Sequence, residues 1–206
     1  ITKNPASTKK IEGTTNIWGS ANLAKTNDAL GWGIHQSLKG NLNRFSYYIS
    51  GSLEQTGNKY DADGVPILPT YGFDNTDIYS TFGKLEYLLT EQQKLTLSGN
   101  IYHSAQDSPF IPVAAEVEVF NENGDYTLVP GYGVKGTIVG EEPTGTTLVN
   151  GQLKYSLNNI FQGTTNFETD LYYQNTENVF FYSDKFENGG QSVINAKKYG
   201  IRPNFN

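Results

Sequence analysis

Between Ile78 and His103 the chain alternates polar and apolar residues with a period of two, and this constrains the fold more than any other feature of the sequence. On the first run Tyr79, Thr81, Gly83, Leu85, Tyr87 and Leu89 take the odd positions, and Ser80, Lys84 and Glu86 are among the even ones. The returning run sets Leu95, Leu97, Gly99 and Ile101 against Thr96, Ser98, Asn100 and Tyr102. Thr90, Glu91, Gln92 and Gln93 supply a tight polar turn between them. The spacing predicts an antiparallel hairpin with one apolar and one polar face, since a helix would need a period near 3.6.

The apolar face carries tyrosines near both ends and no charge between them. Tyr79 and Tyr87 are separated by a distance that, at about 3.3 Å per residue and a strand tilt of about 40°, spans on the order of 20 Å along a membrane normal. A transmembrane barrel shows an apolar band about 25 Å tall with aromatic rims. The hairpin therefore suits a wall with lipid on one side and water on the other.

Composition does not oppose this. The 206 residues are 36% hydrophobic and 17% charged, with a mean hydropathy of -0.50 and no long apolar run for a membrane helix. A barrel keeps a low mean hydropathy because only alternate residues meet lipid. With 22 glycines and 14 tyrosines the chain is rich in residues that pack between strands and sit at bilayer interfaces. It has no cysteine, so disulfides, thiolate metal sites and cysteine nucleophiles are excluded. A net charge of -6 without any Lys/Arg cluster argues against a nucleic-acid partner. A first residue Ile1 and the absence of Met and of a signal peptide predict a processed or truncated segment.

Along the chain, residues 1–10 read as a polar lead-in. A first strand is expected from Ile11 to Lys25, with Ile17, Gly19, Ala21 and Leu23 on one face and Trp18 falling against the pattern on the polar one. A turn at Thr26, Asn27 and Asp28 leads to a second strand through Trp32, Ile34 and Leu38, and Gly40, Asn41 and Asn43 mark the next turn. The third strand sets Phe45, Tyr47, Ile49, Gly51 and Leu53 against Ser46, Tyr48, Ser50, Ser52 and Glu54. Residues 57–75 read as a loop, and the opening hairpin follows. Residues 105–147 read as a longer irregular segment with an internal hairpin turning at Asn123 and Gly124. A sixth strand runs through Val149 to Leu157 and turns at Asn158 and Asn159, a seventh begins at Thr165, and an eighth covers Val193 to Phe205. Links after the second, fourth and sixth strands are short. Those after the third, fifth and seventh are long, and the brief first link is the exception. Short turns at one rim and long loops at the other are the outer-membrane barrel pattern, with Tyr47, Tyr87 and Tyr155 at the short-turn rim.

Three stretches carry a family resemblance. Ile1-Thr2-Lys3-Asn4-Pro5, the loop Tyr60-Asp61-Ala62-Asp63-Gly64 and the closing Lys198-Tyr199-Gly200-Ile201-Arg202-Pro203 resemble the TonB-dependent receptors of Gram-negative outer membranes, in particular the ferric-siderophore receptors. The resemblance implies that residues 1–10 end a plug domain and that residues 11–206 are the early, partial antiparallel β-barrel, about seven or eight strands of a larger one. It also implies a non-enzymatic role in uptake at the cell outer membrane, with a ferric siderophore as transported ligand rather than cofactor. The partners expected are outer-membrane lipid, the siderophore and the TonB complex. Two alternatives stand beside it: a small complete barrel with a structural or adhesive role, and an outer-membrane hydrolase.

For ligand contact the candidates are aromatics of the long loops: Tyr71 and Phe73 in one, Phe110, Tyr126 and Tyr132 in the other. Rings of this kind hold bulky ligands at little entropic cost, although loop aromatics also pack on one another. Asp61 and Asp63 with Gly64 have the look of a cation loop but lack a later bidentate acid, so a polar turn is expected and no metal site is assigned. His35 and His103 have no nucleophile motif near them, and no catalytic residue is assigned. Lys84, Glu86, Lys154, Glu168 and Asp170 are expected to pair within a wet interior.

Overall fold

The computed structural model describes residues 8–67, 74–113, 116–118, 127–129, 131–136, 142–161, 163, 165–181 and 190–205. Among these residues the chain is all-β, without a helix. Its strands are β1 (Glu12–Ser20), β2 (Gly31–Leu42), β3 (Phe45–Gln55), β4 (Thr76–Leu88), β5 (Gln93–Gln106), β6 (Phe110–Val113), β7 (Glu116–Glu118), β8 (Thr127–Val129), β9 (Tyr132–Lys135), β10 (Thr144–Ile160), β11 (Thr165–Val179) and β12 (Val193–Phe205). Eight of them form one antiparallel sheet in the order β1-β2-β3-β4-β5-β10-β11-β12. Each neighbours its predecessor in the sheet, as in a meander, and β1 and β12 are its two edges. Among the described residues β1 and β12 do not pair with each other, so the sheet is open.

The opening hairpin is the β4–β5 pair, with Leu85 opposite Leu97 and Tyr87 opposite Leu95. Its turn is held by Thr90, whose hydroxyl accepts the amides of Gln92 and Gln93 at 3.2 and 3.1 Å. The β2–β3 turn is tighter than the sequence suggests: β2 continues to Leu42, and Asn43 makes the reversal in the left-handed region at φ 59°. Asn tolerates that conformation because its short polar side chain bonds locally. At the other short link, β10 continues through Asn158 and Asn159 to Ile160, with a register shift after Leu157. Bulges of this kind turn a strand without ending it.

Two expectations need correction. β1 ends at Ser20, not Lys25, so the first link covers residues 21–30 and is long like the others at that rim. The reason lies in tertiary contact: the Asn22 side chain donates to the Tyr60 carbonyl at 2.6 Å and accepts the Ala24 amide at 2.9 Å, drawing the chain away from β2. Between residues 105 and 147 the described residues also hold four short strands: β6 pairs with β9, and β7 pairs with β8. The expected turn at Asn123 and Gly124 lies outside the described residues.

Register shows how the two faces are made. Leu85, Leu97, Leu153, Leu171 and Ile201 lie in one row across five strands, and Tyr79, Leu53, Ile34 and Ile17 in another. The opposite face carries the ion pairs Lys39–Glu12, Lys84–Glu86, Lys94–Glu86, Lys154–Glu168 and Arg202–Asp170, at 2.6 to 3.7 Å. Trp18 finds its explanation here. It is the register partner of Gly33, and its indole lies where a Gly33 side chain would be. The same pairing of ring over glycine recurs at Tyr47 with Gly40 and at Tyr172 with Gly200.

Burial on the two faces is the reverse of that in a water-soluble sheet. Apolar Leu97, Leu171 and Ile201 are 51%, 52% and 64% exposed, whereas Thr96 and Ser156 on the polar face are 8% and 3% exposed.

Candidate functional site

The polar face holds a trough of about 600 Å³, lined by Phe82, Lys84, Asn100, Lys154, Tyr172 and Arg202 among others. Three carboxylates pair with four of its cations. Glu86 accepts from both Lys84 and Lys94, Glu168 from Lys154 at 2.6 Å, and Asp170 from Arg202 at 2.8 Å, while the Arg202 guanidinium lies 4.8 Å over the Tyr172 ring. Asn100 and Asn150 bond across β5 and β10 at 3.0 Å, and Ser52 and Ser80 across β3 and β4 at 2.6 Å. These groups satisfy one another across neighbouring strands.

At the long-loop rim the links 21–30, 56–75 and 107–143 are tied into one cluster. Its centre is Tyr60, 3% exposed, packed against Ala29 and meeting Phe110 edge to face at 6.2 Å. The Tyr60 hydroxyl donates to the Asp28 carboxylate at 2.6 Å, and the Lys25 ammonium lies 4.5 Å above its ring. Backbone bonds join the links further: Asn58 to Asp28 at 3.0 Å, Gly133 to Pro66 at 2.9 Å and Asp107 to Asn75 at 2.9 Å. Asp74, 3% exposed, accepts from Ser108 at 2.9 Å and from the Gln106 amide. Thr76 beside it is fully buried.

Electrostatics follow from these contacts. Burial pushes the Tyr60 phenol up to about 12, and the neighbouring Asp28 carboxylate acts in the same direction. The hydrogen bond from Tyr60 holds Asp28 below its usual value, against an opposing effect of desolvation. Donor and acceptor thus keep the phenol protonated and the carboxylate charged across the neutral range.

The loop aromatics part company. Phe110 is 5% exposed and spends its ring on Tyr60, so it is a packing residue of the cluster. Tyr132 on β9 is 41% exposed. Tyr71, Phe73 and Tyr126 lie outside the described residues. Tyr60, Asp28, Asn22 and Asn58 are the residues that sequence reasoning did not single out as partners. The only sequence signal is a tyrosine in a polar loop, which does not reveal an aspartate one link away.

Asp61 forms the polar turn expected of it. Its carboxylate accepts the amides of Asp63 and Val65 at 3.0 and 2.8 Å, and Gly64 turns the chain at φ 78°. The two histidines are on opposite faces. His103 stacks on Tyr79 at 4.8 Å on the apolar side, and His35 lies in register with Ser52 and Asn16 on the polar side. They cannot serve one catalytic centre.

Compared with protein-family models, with curated proteins and with solved structures, the chain matches none of them.

Proposed function

We propose that this chain forms part of the wall and of the outer loop end of an outer-membrane receptor of the TonB-dependent type, which takes up ferric siderophores. The observation that carries the membrane part is the reversed burial: leucines and isoleucines in continuous rows stand open, while the ion pairs and the buried serine and threonine lie on the other face. In water such a face is an aggregation surface, and in hydrocarbon it is the favoured one. Long links gathered at one rim and short turns at the other support the same reading. The siderophore part rests on the sequence resemblance and on the knitted loop cluster, which offers Tyr132 as an amphipathic ring for a bulky chelate.

In this reading the loops capture the chelate and the sheet supplies the wall past which a plug domain, coupled to the TonB complex, lets it through. The role of this chain is binding and enclosure, not bond chemistry. The test is titration of the full-length protein with ferric hydroxamate, catecholate and citrate chelates, following intrinsic fluorescence. Saturable binding of one class is expected. Absence of binding to all three would overturn the siderophore assignment.

A further inference from the structure

Charge is unevenly divided between the loops and the sheet. The links at the long-loop rim, residues 21–30, 56–75, 107–143 and 180–192, hold 13 of the 21 acidic residues and 4 of the 15 lysines and arginines. The remainder of the chain holds 8 acids and 11 cations. The ion pairs follow the same division. All five described above lie within the sheet, and Lys198 adds a further cation to the trough. At the rim, among the described residues, none of Asp28, Asp61, Asp63, Asp74, Asp107 and Glu142 is in a salt bridge.

The acids that are bonded there take neutral donors. Asp28 accepts the Tyr60 hydroxyl, Asp61 two backbone amides, and the buried Asp74 the Gln106 amide and the Ser108 hydroxyl. Such bonds satisfy lone pairs and leave the negative charge in place. One oxygen of the cluster has no donor at all. Asn58 is 5% exposed, its amide group lies against the Asp28 carboxylate and the Tyr60 hydroxyl, and its Oδ1 is buried without a hydrogen-bond partner. The chain itself brings one ammonium to this place. Lys25 is exposed, holds its Nζ 4.5 Å from the centre of the Tyr60 ring and attracts the Asp28 carboxylate. An aromatic face, a carboxylate and an orphaned carbonyl oxygen together form the surroundings that an ammonium group favours.

Resting on the receptor reading above, we propose that the loop end selects positively charged ferric chelates, hydroxamates with a pendant primary ammonium, and that the ligand ammonium takes the seat of Lys25 over Tyr60 and beside Asp28. The charge of the iron centre separates the chelate classes. Three hydroxamates neutralise ferric iron, so a pendant ammonium makes the complex a cation. Catecholates and citrate leave an anion, which a loop end of net negative charge repels on approach. The seat suits exchange. Lys25 is a flexible, exposed side chain, and an incoming ammonium replaces like with like while the hydrogen bond from Tyr60 to Asp28 stays in place.

The test titrates the full-length protein in detergent with three ferric chelates: a linear trihydroxamate ending in a free amine, the same molecule N-acetylated, and a tris-catecholate. The amine form is expected to bind about tenfold tighter than the acetylated form, with the advantage shrinking as salt is raised, and the catecholate to bind most weakly. Lys25→Met removes the competing ammonium from an exposed position, and should tighten the amine form roughly threefold and leave the acetylated form unchanged. Equal affinities of the amine and acetylated forms, tightest binding of the catecholate, or no gain in Lys25→Met would overturn the ammonium seat and leave the receptor reading standing. Failure of all three chelates to bind would overturn the receptor reading itself. Asp63→Asn combined with Glu142→Gln, both at exposed carboxylates without a salt bridge, probes the field without touching the Tyr60 cluster. Slower association of the amine form at low salt supports the selection by charge, and an unchanged rate counts against it.

Discussion

At the scale of single residues, Tyr60 and a few glycines show what the fold asks of particular side chains. Tyr60→Phe removes one hydrogen bond to a charged acceptor and leaves the packing against Ala29 and Phe110 intact. The expected cost is about 1.5–3 kcal/mol of local stability, read as faster hydrogen exchange in residues 21–30. Because the folded value of this phenol lies above its ordinary 10, its contribution is fully present below pH 10 and is lost as pH rises toward about 12. An absorbance titration of tyrosinate should show a late-ionising phenol in the native chain that is missing in Tyr60→Phe. Asp28 is shifted the other way, and its contribution fades as pH falls below 3.8. The glycines divide by what a side chain would meet. Gly33→Ala drives a methyl into Trp18, Gly40→Ala drives one into the Lys10 carbonyl and Tyr47, and each should cost about 1–3 kcal/mol. Gly83→Ala and Gly151→Ala meet nothing and should be neutral or stabilising by up to about 1 kcal/mol, measured by urea unfolding in vesicles. The structure gives no packing reason for glycine at those two positions.

At the scale of elements, the decisive property of each strand is which solvent each side faces. A lysine at Leu97 or Leu171, near the middle of the apolar rows, should destabilise the inserted sheet by about 2–4 kcal/mol, whereas Ser98→Lys on the adjacent polar face should be tolerated. Equal costs at Leu97 and Ser98, measured by urea unfolding in vesicles, would mean that the two faces do not differ in solvent. The hairpin β4–β5 was legible because its alternation is unbroken and its turn is polar, with local hydrogen bonds to Thr90. The limits expected for β12, Val193 to Phe205, are those of the structure. β1 was not, because alternation continues through Ala21 and Leu23 after the backbone has left the sheet for Tyr60. β6 and β9 went unseen because strands of four residues carry too few alternations to show a period.

At the scale of the whole molecule, the sheet has two unpaired edges and an apolar face open along its length. Dynamic light scattering should therefore show aggregation in detergent-free buffer and a monodisperse species in detergent; a stable monomer in plain buffer would contradict the membrane reading. The sequence by itself determined the all-β class, the antiparallel pairing, the polar and apolar faces and most of the strand order, because alternation and turn chemistry are local and a meander joins neighbours in sequence. It also placed Lys84, Glu86, Lys154, Glu168 and Asp170 together on the polar side, since parity along a strand assigns the face. Only the tertiary structure decided that Tyr60 meets Asp28, that Phe110 is packed while Tyr132 stands open, and that Trp18 covers Gly33. Each of these depends on which residues from distant strands share a register row or a loop rim, and a period-two pattern carries no record of that offset.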